Sequence, residues 1–344
     1  MKRFAFAHAR GPGAAQACAE RLGRPGRGLG FLYFTDALVG QAQEILDTLR
    51  GRTGVADWVG TVGTGVLATG TEYQDEPALA AMVADIDSYS IFSGRKPLKG
   101  AAPHFAVVHA DPSAPELPSL VADMASKTST GFLAGGISSS RSRTLQIANE
   151  VLSGGISGAA LGKSVALATR LSQGCTPFPG RWRVTQCADN LIFTLDGRPA
   201  LDVLIETVKG ERAQLLVGLS VPGSDTRDYT ARNLIGIDPE TRAIGIGDTV
   251  EPGAEIVFCK RDAAAARADL ERILGELKAA APAPRGALYF SCVARGEHMF
   301  GSRGAELQLV RQALGEVPLV GFFCNGEISR DRLYGYTGVL TLFQ

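Results

Sequence analysis

A strand, a helix and a second strand that lands on glycine occur three times along this chain, an order that few architectures accommodate. The first copy opens at Phe31-Leu32-Tyr33-Phe34 and closes at Trp58-Val59-Gly60-Thr61-Val62-Gly63-Thr64-Gly65. The second opens at Phe105-Ala106-Val107-Val108 and closes at Phe132-Leu133-Ala134-Gly135-Gly136. The third opens at Ala287-Leu288-Tyr289-Phe290 and closes at Leu319-Val320-Gly321-Phe322-Phe323-Cys324-Asn325-Gly326-Glu327. From last strand residue to landing glycine the chain runs 26 residues (34 to 60), 27 (108 to 135) and 31 (290 to 321). That distance suits one crossover helix between neighbouring parallel strands. In the first copy Leu38, Ala42, Ile45, Leu46 and Leu49 share a helical face, with Thr35 or Asp36 as N-cap and Gly51 as terminator. In the third, Leu307, Val310 and Leu314 do so, and Gly315 ends the helix.

Other segments have a different rhythm. A strand at 3–8 and a helix from Ala14 to Leu22 are expected at the start, in a stretch whose first 30 residues hold Glu20 as their only acid and faintly resemble a transit peptide. Residues 181–195 alternate around Asp189-Asn190 and predict a hairpin, followed by a helix with Pro199 near its start. Residues 214–260 are strand-like, and a long helix follows Asp262 as N-cap with Leu270, Ile273, Leu274 and Leu277 inward. The expectation is an α/β fold: mixed sheets built from repeated βαβ-like units with inserted antiparallel hairpins. Two domains, 1–222 and 223–344, divide near Pro222.

In open α/β sheets the ligand crevice lies beyond the carboxyl ends of the strands. That rule brings Thr35, Asp36, residues 61–65, Asp111, Gly135, Gly136, residues 291–295 and residues 324–327 to one side. Composition narrows the occupant. With 35 Lys+Arg against 35 Asp+Glu the chain lacks the basic footprint of a nucleic-acid or polybasic membrane binder. No run approaches the ~18 apolar residues that span a bilayer. The six cysteines (Cys18, Cys175, Cys187, Cys259, Cys292, Cys324) form no CxxC pair and the four histidines are scattered, so reduced thiols in a cytoplasm are expected, with no metal and no cofactor. His109 sits in an apolar run and is expected to be a half-buried strand residue.

Three motifs fail on inspection. Gly162-Lys163-Ser164 ends like a phosphate loop, but position 157 is serine where that loop needs glycine, and the residues after it alternate like a strand. Gly63-Thr64-Gly65 mimics a dinucleotide fingerprint, yet Thr69-Gly70-Thr71 interrupts the helix it would need. Gly155-Ile156-Ser157-Gly158-Ala159 has alanine at the second glycine of a nucleophile elbow. A thiol nucleophile stays open: Cys292 follows a strand end with Arg295 three residues on, and Cys324 sits beside Asn325 and Glu327.

The last copy is where a family resemblance emerges. Gly286-Ala287-Leu288-Tyr289-Phe290-Ser291-Cys292-Val293-Ala294-Arg295-Gly296, then Val317-Pro318-Leu319-Val320-Gly321-Phe322-Phe323-Cys324-Asn325-Gly326-Glu327-Ile328, then Thr337, resembles a FIST C-terminal domain. Gly60-x-x-Gly63 with Gly65, Gly135-Gly136, Gln173-Gly174-Cys175-x-Pro177, Val184-Thr185 and Leu195-Asp196-Gly197-x-Pro199-Ala200 resemble its N-terminal partner. The resemblance implies an intracellular sensory module for a small ligand, amino acids among the candidates, rather than an enzyme. With no room for an output domain in 344 residues, a separate signalling protein is the expected recipient. The candidate ligand-binding residues are Thr64, Gly65, Gly135, Gly136, Gln173, Cys175, Cys292, Arg295, Asn325, Gly326 and Glu327. A zwitterion would set its carboxylate on Arg295 and its ammonium on Glu327. Against this stand a bland reading, in which those two residues pair with each other or cap helices, and two functional ones: a cysteine-dependent enzyme using Cys292 or Cys324, and a protein-binding adaptor.

Overall fold

Apolar runs that are buried on both faces make the three expected parallel pairs. The computed structural model describes residues 4–94, 98, 102–221 and 229–344. It divides into two compact units, residues 1–172 with 269–344, and residues 173–268. The expected boundary near Pro222 falls in 222–228, outside the described residues.

In the first unit, β1 (Ala5–Arg10) and α1 (Ala14–Leu22) precede β2 (Leu29–Thr35), α2 (Ala42–Thr53), β3 (Asp57–Gly63), the hairpin β4 (Gly65–Ala68) and β5 (Thr71–Gln74), and β6 (Ala78–Ala84). The pattern repeats as β7 (Tyr89–Ser93), β8 (Phe105–Ala110), α3 (Leu117–Ser126), β9 (Leu133–Ile137), the hairpin β10 (Gln146–Ala148) and β11 (Val151–Leu152), and β12 (Ile156–Leu161). A third round begins with β13 (Leu167–Ser172), at which point the second unit is inserted.

That second unit holds β14 (Cys175–Pro177), β15 (Trp182–Ala188), β16 (Leu191–Leu195), β17 (Arg198–Pro199), α4 (Ala200–Val208), β18 (Leu215–Ser220), β19 (Tyr229–Asp238), β20 (Ala243–Ile246) and β21 (Glu255–Arg261). Its strands pair in the order β14-β21-β15-β16-β20-β19-β18, and β18 pairs back to β21, which closes the path into a barrel. Val184, Ile192, Val217, Ile244 and Phe258 fill it, with Leu201 and Leu204 of α4 packed on them. The expected hairpin at 181–195 is β15–β16. Next comes α5 (Ala263–Ala280), capped as expected: Asp262 Oδ1 accepts from the Ala264 and Ala265 amides at 2.9 and 3.0 Å.

The third round resumes with β22 (Gly286–Cys292), α6 (Glu297–Phe300), α7 (Ala305–Leu314), β23 (Leu319–Cys324), the hairpin β24 (Glu327–Ser329) and β25 (Arg332–Tyr334), and β26 (Gly338–Phe343).

Among the described residues the first unit forms three six-stranded sheets with one shared plan: β1-β6-β2-β3-β10-β11, β7-β12-β8-β9-β24-β25 and β13-β26-β22-β23-β4-β5. At the centre of each lies a parallel pair, β2–β3, β8–β9 or β22–β23. The last two strands of each sheet come from a different round: the first donates its hairpin to the third, the third to the second, and the second to the first. The landing glycines occupy equivalent places, Gly60 opposite Leu32, Gly135 opposite Val108 and Gly321 opposite Tyr289. At each one a Cβ would overlap the partner's carbonyl oxygen and lie 2.7 Å from its carbonyl carbon. Glycine is required there because the backbones approach too closely for any side chain.

One face of all three sheets builds a common core that includes Phe31, Tyr33, Phe105, Val107, Phe290, Phe322 and Phe343. The opposite face of the first sheet packs on α1 and α2, and that of the second on α3. Two local expectations need correction. Gly51 does not stop the first crossover helix; α2 continues to Thr53 and ends on Gly54, whose φ of 71° supplies the left-handed cap. Neither Thr35 nor Asp36 caps that helix by its side chain: Thr35 Oγ1 donates to Glu76 and Ala78 carbonyls, and residues 36–41 form a 3₁₀ turn instead.

Candidate functional site

Because the three rounds are equivalent, the same strand position from each meets in the middle of the core. Tyr33, His109 and Phe290 each follow the residue facing a landing glycine, and their ring centroids lie 5.5, 6.1 and 6.3 Å apart. His109 is fully buried, not half-buried as expected, and burial lowers its pKa to about 3, so it is a neutral imidazole. It shares a 3.1 Å hydrogen bond between Nε2 and the Tyr33 hydroxyl.

Across the second sheet one row of paired residues runs Glu327, Gly136, His109, Ser157. Strand alternation sends this row to the shared core. One step toward the carboxyl ends, Cys292 and Cys324 are paired across β22 and β23. Glu327 is fully buried. Its Oε2 accepts from the Thr337 amide at 3.2 Å and the Thr337 hydroxyl at 2.7 Å, while Oε1 is buried with no hydrogen-bond partner among the described residues. Burial raises its pKa to about 8 against the Thr337 bonds, the nearby Arg295 charge and a hydrogen bond with the Cys292 thiol, all of which favour the carboxylate. Burial and the Glu327 carboxyl push the Cys292 thiol up to about 12, and the same two causes push Cys324 up. Neither thiol is therefore activated as a nucleophile in this arrangement.

The other expected residues divide into groups. Gly136 lies beside Cys324, where a Cβ would overlap Sγ. Asn325 donates its amide to the Ile137 carbonyl at 3.0 Å and the Gly326 carbonyl accepts from Ile137 at 2.8 Å, which ties the third landing loop to the second. Thr64 donates its amide to Ser139 Oγ at 2.9 Å, and Ser139 in turn donates to the Phe323 carbonyl. Gly65 passes beside the Phe323 ring. Gly135, Gly136, Cys292, Cys324, Asn325, Gly326 and Glu327 thus converge, with Thr64 and Gly65 adjoining. Gln173 and Cys175 belong to the second unit, where Gln173 Nε2 donates to the Tyr229 carbonyl and the Tyr229 hydroxyl to the Cys175 carbonyl.

Arg295 does not form an ion pair with Glu327; its Nη1 is buried with no hydrogen-bond partner among the described residues, while its other guanidinium nitrogens are held. It is fully buried and bound to Glu306 of α7, Nη2 and Nε reaching Oε1 at 2.7 and 2.8 Å. The Tyr289 hydroxyl donates to the same carboxylate at 2.6 Å and Ser291 at 3.1 Å. Glu306 is invisible from the sequence because an acid in a first helical turn reads as an ordinary dipole partner. Nearer the solvent an unbroken series of ion pairs runs Asp36, Arg141, Asp75, Arg303, Glu297, with contacts of 2.8, 2.6, 3.3 and 3.1 Å. Its members follow strand ends of all three rounds. The Arg141 guanidinium lowers the Asp36 pKa by hydrogen bonding to it. No helix among the described residues is long and apolar enough to cross a membrane.

Comparison with known proteins agrees with the residue-level resemblance. The FIST N domain matches residues 28–198 and the FIST C domain residues 200–330. An uncharacterized protein of Mycobacterium tuberculosis (strain CDC 1551 / Oshkosh), MT0656, is 32% identical over 368 residues, covering 96% of this chain and 95% of its own. An uncharacterized protein of Mycobacterium bovis, Mb0898c, is 30% identical over 374 residues, covering 96% of both.

Proposed function

The chain belongs to the FIST family, whose domains are associated with sensing in signal transduction, and from that premise we propose that it binds a small ligand carrying an ammonium group. The ligand sits at the carboxyl ends of the parallel strands, against Glu327, with Cys292, Cys324 and the Gly136 backbone around it. Free amino acids are the first class to test. The observation that carries the reading is the fully buried Glu327 carboxyl with Oε1 unpartnered. Such a group in a core is costly unless a partner compensates it. A cationic partner would draw the carboxylate out of its protonated form, so binding near neutral pH releases a proton. The ligand's carboxylate would be met by backbone amides and hydroxyls of the landing loops; Arg295 holds Glu306 through Nε and Nη2 and keeps only a buried Nη1 without a hydrogen-bond partner among the described residues.

Thermal-shift titration with single amino acids and simple primary amines tests the reading. Stabilisation should grow with ligand as mass action requires. Calorimetry in buffers of different ionisation enthalpy should register the released proton. No shift with any amino acid or amine at millimolar concentration would refute it, as would an undiminished shift in Glu327→Gln.

A further inference from the structure

The Arg-rich opening stretch folds as β1, α1 and the loop to β2, and it builds a groove at the end of the sheet away from the carboxyl-end site. The groove encloses about 740 Å³, within the range of small-molecule sites. Arg21, Arg24 and Arg27 line it, with half-buried Phe6 alongside the buried Phe4 and Leu22, and Asp85 the only acid among its described lining residues. Arg21 and Arg24 have no carboxylate partner among the described residues; Arg21 donates to the His8 carbonyl and Arg27 lies 3.5 Å from Asp85. A fourth guanidinium, Arg285, stacks over the Phe4 ring at 5.2 Å. In a chain of zero formal net charge this is a local concentration of one sign, beside aromatic surface.

We propose that this groove is a second binding site, for a small phosphate-bearing ligand with a flat ring, of which a purine nucleotide is the type. Guanidinium forks match phosphate oxygens bidentately and also stack on aromatic planes. The three lining arginines would take the phosphates, and half-buried Phe6 the ring, Phe4 being buried beneath Arg285 and against Phe343. On the other side of Arg27 and Asp85 a groove of about 410 Å³ is lined also by Asp57 and Tyr89, an acidic surface that limits the anion to the arginine side.

The test is titration of the full chain with an N-methylanthraniloyl-labelled ATP, read by fluorescence anisotropy, with ATP and inorganic triphosphate as competitors. Saturable binding below about 1 mM is expected, weakening as salt is raised. Arg21→Ala/Arg24→Ala should weaken it at least about tenfold. Arg24→Ala alone, which removes no internal hydrogen bond among the described residues, should weaken it with the circular dichroism spectrum unchanged. Arg198→Ala, an exposed arginine of the second unit, should bind as the parent does. Absence of saturable binding, or full binding in Arg21→Ala/Arg24→Ala, overturns the site. Equal competition by inorganic triphosphate and ATP overturns the ring contact.

Discussion

Replacing Gly135 by alanine tests the architecture at the point where it tolerates least. The added Cβ would overlap the Val108 carbonyl oxygen and lie 2.7 Å from the carbonyl carbon, where ordinary contact begins at 3.4 Å. To clear it, β8 and β9 must separate by more than half an ångström at the carbon and further at the oxygen. Hydrogen bonds made at ~2.9 Å do not survive that displacement. Overpacking costs about 1–3 kcal/mol, and each ladder bond lost adds about 0.5–1.5 kcal/mol. With two such bonds broken the expected destabilisation is about 2–6 kcal/mol. At roughly 2–4 °C per kcal/mol for a domain of this size, Tm should fall by roughly 4–24 °C. Gly60→Ala and Gly321→Ala meet the same 2.7 Å contact, with Leu32 and Tyr289, and should cost the same within about 1 kcal/mol. Gly275→Ala is the contrasting change: it lies inside α5 with nothing within 4 Å of its Cβ, and should stabilise by about 0.5–1 kcal/mol. Urea denaturation of the four variants is the assay. Losses under about 1 kcal/mol at the three landing glycines would refute the close-approach argument.

Other expectations follow from the site. The raised pKa of Glu327, about 8 against 4.5 unfolded, means that stability present at pH 4.5 is lost as pH climbs through 8. This adds a slope of about −1.4 kcal/mol per pH unit that Glu327→Gln should abolish; parallel stability–pH curves for parent and variant would contradict it. Arg295→Met strands the Glu306 carboxylate in the interior and should cost about 3–5 kcal/mol. The double change Arg295→Met/Glu306→Leu should recover much of that loss, and a double variant as unstable as the two singles summed would refute the coupling. Iodoacetamide should label half-buried Cys187 before Cys292 or Cys324, by mass spectrometry of the native protein.

Much of the fold is legible because it is periodic. The spacing of Leu307, Val310 and Leu314, the Asp189-Asn190 turn and the three strand-to-glycine distances are local signals, and the elements they predict form. Strand partnership is not local. Val66-Leu67-Ala68 read only as the tail of a failed fingerprint, and nothing local says that they form a strand paired with Val320, Gly321 and Phe322, some 250 residues on. The site divides in the same way. Gly135, Gly136, Cys292 and Glu327 are found by their position after strands, whereas the commitment of Arg295 to Glu306 depends on how α7 lies on the sheet. His109 and Ser157 carry no sequence signal beyond polarity in an apolar run, and only register shows that they face each other.

The exchange of hairpins between rounds has a further consequence. A single round cannot complete a sheet from its own strands, because its hairpin finishes a different one. Three separate copies in a ring would satisfy every edge as fully as the continuous chain does, so the first unit is a cyclic trimer written in one polypeptide. Glu327 stands at one of its three seams, on a strand that starts in the third round and pairs in the second. Anything that moves this carboxyl pulls on two rounds at once.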